Sequence, residues 1–378
     1  MVSSISTIKY NLSLLNQRNE KVTYQMSSGD ALQYGSDNSQ QYNQILSVNN
    51  SVKSYSSILE RMKLSNAYNT TSDTAVASMK DSMKSIQSLV QKALTATTSS
   101  EGKATIADEI ESAKNTIYSL ANSNTSGQYL FSGSSLSTQA FQKDATTGKI
   151  TYTATNDNKS VNVETGSYTT QGVNGIELLY YTNNTAQAGE DLTFEENEII
   201  LDKNENQYKL LDNDNDGSFD GLYLNGDSSN ISLPVTDNGD GSFTVNNSGT
   251  TALQSKHSIF DDLDKIINAL KQQDSSGNAI TEDEANTLLS DALSTVTNAY
   301  DTMNITHAKL GTRTASIENY EDIVQTKLSN FDILQENYSA ADVTALAIES
   351  QSLESTYTAL YSTINKVNNL SLVKYLNS

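Results

Sequence analysis

Apolar side chains recur in steps of three and four through both ends of this chain, and in steps of two through its middle. Near the C-terminus the stretch Val343–Leu376 places Leu346, Leu353, Tyr357, Leu360, Ile364 and Val367 on one line, with Ser350 out of pattern. That is a heptad seam, the narrow stripe of a coiled coil. Near the N-terminus Ile5, Ile8, Leu12, Leu15, Val22 and Met26 repeat the pattern. Asn19 interrupts this second seam, either as a buried group that fixes register or as an exposed residue. Each stripe is thinner than the arc of about 100° that a helix buries in a globular core. Neither helix can bury such a stripe alone in water. The two are therefore expected to pair, with the chain doubling back so that both termini lie at one end.

The segments between follow in order. Ser27-Ser28-Gly29-Asp30 reads as a helix stop, and residues 29–40 as a polar linker. The heptad resumes at Ile45, Val48, Val52, Tyr55, Leu59 and Met62. Ser72-Asp73 is expected to cap a further helix striped by Val76, Met79, Met83, Ile86 and Val90. The Thr/Ser run at 95–100 ends it. A third helix, from about Lys103, carries Ile106, Ile110, Ala113, Ile117 and Leu120. The period changes at Asn124. Gln128 to Gly133 reads as strand and turn, and residues 140–253 as short strands, IELLYYT and LTFEENEIILD among them, separated by Asn/Asp/Gly turns. Helix returns at about Ser258, with Leu263, Ile266, Ile267 and Leu270. Thr281-Glu282-Asp283-Glu284 is a capping box. Behind it a long heptad run passes through Leu289, Tyr300, His307, Leu310, Val324 and Phe331.

The fold class this predicts is mainly α with a β insertion. Three domains are expected: residues 1–42 with 340–378 as a terminal coiled coil, 43–142 with 257–339 as a long helical bundle, and 143–256 as an outer β-rich domain.

Composition narrows the function. The chain has 378 residues, of which 36% are hydrophobic, no Cys, no Trp, one Pro and two His. Without Cys there is neither disulfide nor thiol chemistry nor a Cys-based zinc site. No stretch approaches the roughly 18 apolar residues of a membrane span. The N-terminus lacks the basic and apolar regions of a Sec signal. A net charge of −21 argues against nucleic acid or an anionic membrane as partner. More than half of that excess lies in residues 190–240, with 14 acidic against 2 basic side chains.

Catalytic motifs are absent: there is no GxSxG, HExxH or Walker A sequence. His307 lies on a seam position without a carboxylate on the same stripe, which fits a core or interface histidine. His257 beside Lys256 reads as a solvated loop residue. No cofactor and no catalytic residue is expected. One metal-like stretch remains. Asp212, Asp214 and Asp216 with Gly217 match the opening of an EF-hand calcium loop, but Tyr223 stands where the bidentate Glu belongs. Weak calcium binding and plain hairpin turns both stay open here.

Two stretches resemble a known family. Leu120 to Gly133, with Gln128, Tyr129, Leu130, Phe131 and Gly133 at its core, is similar to the helix-to-strand signature of flagellar hook–filament junction proteins, the FlgL or hook-associated protein 3 family. The ending Leu370-Ser371-Leu372-Val373-Lys374-Tyr375-Leu376 resembles that family's C-terminus. Met26-Ser27-Ser28-Gly29 resembles a turn shared with flagellins, although Leu32 to Asn38 lacks the Pro usual there. The resemblance covers the helical parts, roughly 1–142 and 257–378. It implies flagellin-like stacked domains and a structural protein that forms a homo-oligomeric ring between hook and filament. Its partners would be the first hook-associated protein, flagellin and a cytoplasmic export chaperone. It would be extracellular, in the bacterial flagellum, exported through the type III apparatus without a Sec signal. The competing readings are a flagellin-type filament subunit and a cytosolic coiled-coil scaffold.

Overall fold

A computed structural model describes residues 2–95, 99–212, 214, 217–229, 232–247 and 252–376, without the side chains of 2–5, 232 and 367–376. In order the elements are α1 (Val2–Ser28), α2 (Ser39–Ala93), α3 (Ser100–Ala121), β1 (Asn124–Thr125), β2 (Gln128–Tyr129), β3 (Phe141–Lys143), β4 (Ile150–Tyr152), β5 (Ser160–Glu164) and β6 (Ser167–Thr170). Then come α4 (Gly175–Leu179), β7 (Tyr180–Ala186), β8 (Asp191–Glu195), β9 (Ile199–Asp202), β10 (Gln207–Leu211), β11 (Gly221–Leu224), β12 (Ser232–Asp237), β13 (Ser242–Asn246) and β14 (Leu253–Ser258). Four helices close the chain: α5 (Ile259–Leu270), α6 (Glu282–Ser290), α7 (Ala292–Ser339) and α8 (Val343–Leu376). The fold is mainly α with a β insertion. Two compact units divide it, Met1–Leu59 with Asp322–Ser378, and Glu60–Glu321.

In the first unit α1 and α8 pair antiparallel through Val22, Leu346 and Leu353. Tyr55 stacks on Phe331 at 5.6 Å between ring centroids. The expected linker is pinned rather than free. Ala31 N donates to Ser339 O, Ala341 N donates to Gly29 O, and Asp30 bridges Ala340. These bonds satisfy backbone groups freed where α1 and α7 end. Asn19 is exposed, so it fixes no buried register.

Among the described residues the second unit has a large core and a smaller one. The large core joins α2, α3, α5, α6 and α7 to Leu130, Phe131, Phe141, Ile150 and α4. Phe141 meets Phe260 edge-on at 5.5 Å, an arrangement aromatic rings favour. The first part of the β insertion is thus built into the helical core. The small core fills an eight-stranded antiparallel sheet, ordered β7-β14-β9-β10-β11-β12-β13-β8. The Asn184 side chain on β7 donates to Thr193 O on β8, tying the two edge strands together in a barrel-like closure. Pro234 sits where β12 passes from pairing with β11 to pairing with β13, a place that tolerates a missing N–H.

Several local expectations change. Ser72 caps no helix: α2 runs unbroken for 55 residues, and the Ser72 hydroxyl donates to Tyr68 O one turn back. The IELL segment is a short helix, not a strand. Asn174 and Glu177 form a reciprocal capping box that starts it. The run from Thr281 is two helices, α6 and α7, interrupted at Asp291. His257 is no solvated loop residue; it lies on β14 and is 4% exposed.

Candidate assembly interface

The predicted terminal seam is unevenly filled. Val22, Leu346 and Leu353 are buried. Ile8, Leu12, Leu15, Tyr357, Leu360 and Ile364 are half-buried, and Met26 is 48% exposed. The side chains of Ile5 and Val367 lie outside the described residues. Polar contacts set the antiparallel register. Arg18 Nε donates to Glu349 Oε1 at 2.7 Å, and the Tyr357 hydroxyl donates to Asn16 Oδ1 at 2.7 Å. A further set of apolar side chains stays in water: Tyr10, Leu14, Ile348 and Tyr361, with Ile348 at 66% exposure. The heptad reading missed these residues because they stand off the seam it followed.

The signature segment is held from below by α2. The Tyr68 hydroxyl lies 2.9 Å from Tyr129 O and 2.8 Å from Leu130 O. Burial raises its pKa, so it stays a neutral donor. Leu130 and Phe131 are fully buried, and Phe131 O accepts from Gly175 N at 2.8 Å. Gln128 and Tyr129 form β2, paired with β1. Gly133 has φ +66°, and a Cβ there would come within 2.2 Å of Thr155 O. Only glycine fits that approach. Leu370, Leu372, Tyr375 and Leu376 fall within α8, but their side chains lie outside the described residues.

Charged clusters serve the frame of the second unit. Glu177 accepts both Arg313 guanidinium nitrogens at 3.1 Å and also pairs with Lys309. Burial alone would raise Glu177; Arg313 and Lys309 reverse that and hold it below the usual carboxylate range. This fork ties α4 to α7. His257 lies between two acids, Nδ1 at 3.1 Å from Glu198 and Nε2 at 3.0 Å from Asp262. The Nε2 contact is off the hydrogen-bond line, so it acts as an ion pair. Burial alone would lower the His257 pKa, but the two carboxylates raise it to about 10. Tyr181 donates to Asp262 and Asn183 to Glu198, which completes a β7, β14 and α5 network. No sequence motif links these residues, since they come together only through the sheet. His307 has its carboxylate after all, from a neighbouring helix: Asp73 Oδ1 on α2 lies 2.7 Å from Nε2.

The Asp-rich loop brings Asp212 and Asp214 together with Asp220, their carboxylate oxygens within 4.8 Å of one another. Asp216 lies outside the described residues. Asp212 also accepts from Gly217 N at 2.9 Å, the bond of a turn. No helix among the described residues is long and apolar enough to cross a membrane.

No protein-family profile matches the sequence, and no curated protein is similar to it at the sequence level. Solved structures do match. Flagellar hook-associated protein 3 from Legionella pneumophila, at 16% identity, aligns over 78% of this chain and 98% of its own with a TM-score of 0.52. A putative flagellar hook-associated protein from Vibrio parahaemolyticus, at 12% identity, aligns over 80% and 100% with a TM-score of 0.54. FlgL from Xanthomonas campestris, at 15% identity, aligns over 76% and 99% with a TM-score of 0.51. The chain has the fold of hook-associated protein 3. At these identities the agreement concerns the backbone path. The hook-associated fold is present over nearly the whole length of those structures.

Proposed function

We propose that the chain is a structural, non-catalytic subunit of the bacterial flagellum, forming the junction ring between hook and filament by helix–helix self-assembly. The observation that carries this reading is the hook-associated fold, traced over 78% of the chain. The exposed apolar residues on α1 and α8 support it. A helix pair that buries three seam side chains and exposes Tyr10, Leu14, Ile348 and Tyr361 gains stability from further helices of neighbouring copies. In this reading Ile5, Ile8, Leu12, Leu15, Val22 and Met26 on α1, with Leu346, Leu353, Tyr357, Leu360, Ile364 and Val367 on α8, are the assembly surface.

The domains stack as in flagellin: 1–42 with 340–378 as coiled coil, 43–142 with 257–339 as bundle, 143–256 as outer domain. The ring meets the first hook-associated protein on one side and flagellin on the other. A cytoplasmic chaperone holds the C-terminal segment before export without a Sec signal, and the chain ends extracellular. Electron microscopy of a strain deleted for the gene tests this. Intact hooks, flagellin in the medium and no filaments are the expected outcome. Normal filaments in that strain would sink the junction role, and loss of filament mass from full-length junctions would favour a filament subunit.

A further inference from the structure

The Glu60–Glu321 unit has a groove of about 460 Å³ between α2, the β1–β2 turn and the β5–β6 hairpin. Leu64 and Tyr168 line it and are 72% and 66% exposed. Among the described residues, one polar atom in its lining is buried yet unpaired. Ser65 Oγ has no hydrogen-bond partner. Gln171 is 5% exposed and lines the same groove. Buried polar groups are normally satisfied, and an unpaired one carries a desolvation penalty that a bound group relieves. Arg61 and Lys159 add two cations, and no acidic side chain lines the groove. This basic concavity belongs to a chain of net charge −21.

We propose that the groove receives the acidic β module of a second copy of this chain. A hairpin turn from residues 190–247 places carboxylates against Arg61 and Lys159. Its backbone amides pair with Gln171, whose carboxamide offers a donor and an acceptor side by side. Leu64 and Tyr168 then cover the contact, the apolar and aromatic character expected of an interface centre. The inference rests on the reading that copies assemble into a ring. A ring requires a head-to-tail contact between two different, complementary surfaces. The groove is one such surface, and the module holding 14 acidic and 2 basic residues over 190–240 is its electrostatic complement.

The test uses the full chain with Tyr168→p-benzoylphenylalanine, produced in flagellated cells lacking the wild-type copy. Flagella are isolated, probed for the chain by immunoblot, illuminated, and the crosslinks mapped by mass spectrometry. The expected product joins residue 168 to a peptide within 190–247 of another copy. Adding Arg61→Glu and Lys159→Glu lowers its yield about tenfold or more, because like charges then face each other. Lys159→Arg leaves the yield unchanged, and circular dichroism of each variant confirms that it folds. If the chain is present in flagella but its crosslinks map to another protein or another segment, or none form, or charge reversal leaves the yield unaltered, the inference is wrong and the ring reading stands. If the chain is absent from flagella, the ring reading fails and takes the inference with it.

Discussion

At the scale of single residues, Gly133 and His257 show two ways a position becomes indispensable. Gly133 combines φ +66° with a Cβ direction blocked by Thr155 O and Asp157 O. Gly133→Ala is expected to cost about 1–3 kcal/mol from the backbone conformation alone, read as a lower urea midpoint, and a midpoint equal to wild type would refute the clash. His257 is a buried cation between two buried anions. Removing it strands Glu198 and Asp262, so His257→Gln is expected to cost about 3–5 kcal/mol. The pH dependence has a definite sign. The folded His257 pKa, about 10, lies above the ordinary 6.5, so its stabilisation is complete below 6.5 and vanishes as pH rises through 10. Burial alone would raise Glu198, but His257, Asn183 and Ser255 hold it below its ordinary 4.5. Its contribution is present above 4.5 and lost as pH falls through the lowered value. The stability gap between wild type and His257→Gln should therefore be widest near pH 5–6.5 and shrink toward pH 10. A gap that is constant across that range would show that the histidine acts by packing alone.

At the scale of elements, α1 and α8 differ from α2 and α7. The second half of α2 buries Val76, Met79, Met83, Ile86 and Val90 against four other helices. Its polar interval has a structural use as well. Asn69 accepts from Gly172 N at 2.9 Å and donates to Thr314 at 3.2 Å, so the break in the apolar stripe marks where the β connection docks. By contrast the described residues of α1 and α8 pack mainly against each other. Ordering a residue costs about 1–2 kcal/mol, and few of their side chains are buried deeply enough to offset it. In the free monomer α1 and α8 are expected to exchange amide protons far faster than α3 or α5. Strong protection there without assembly would refute folding coupled to subunit contact. Leu360→Asp is expected to abolish assembly while leaving the core around Phe141 and Phe260 intact. Assembly at wild-type levels by that variant would remove α8 from the interface.

At the scale of the whole molecule, stability is concentrated between Glu60 and Glu321, which contain the large hydrophobic core and the smaller core of the sheet. Limited trypsin digestion of the full chain should release pieces of α1 and α8 first, at Lys9, Arg18, Lys21 and Lys366, and leave a resistant fragment spanning that unit. Early cleavage within α5 or the β3–β6 segment would contradict this distribution.

The sequence alone determined what depends on local pattern. Heptad spacing gave the long helices, the Thr281–Glu284 box gave the start of α6, and Asn/Asp/Gly turns gave most of the strands. The Gln128 to Gly133 signature pointed to the hook-associated fold. Decisions that needed distant partners were made only in the tertiary structure. Ser72 continues a helix because it is buried there with Tyr68, Asn69 and Val76 and its hydroxyl bonds back to Tyr68 O, and IELL turns helical because Glu177 is held by Arg313 and Lys309. His257 is buried because β14 carries it between Glu198 and Asp262, 59 and 5 residues away along the chain. The same holds for the exposed row on α1 and α8. Periodicity says which side chains share a line, but only packing decides which line is covered. Side-chain periodicity is a property of neighbours in sequence, whereas burial and charge pairing belong to neighbours in space.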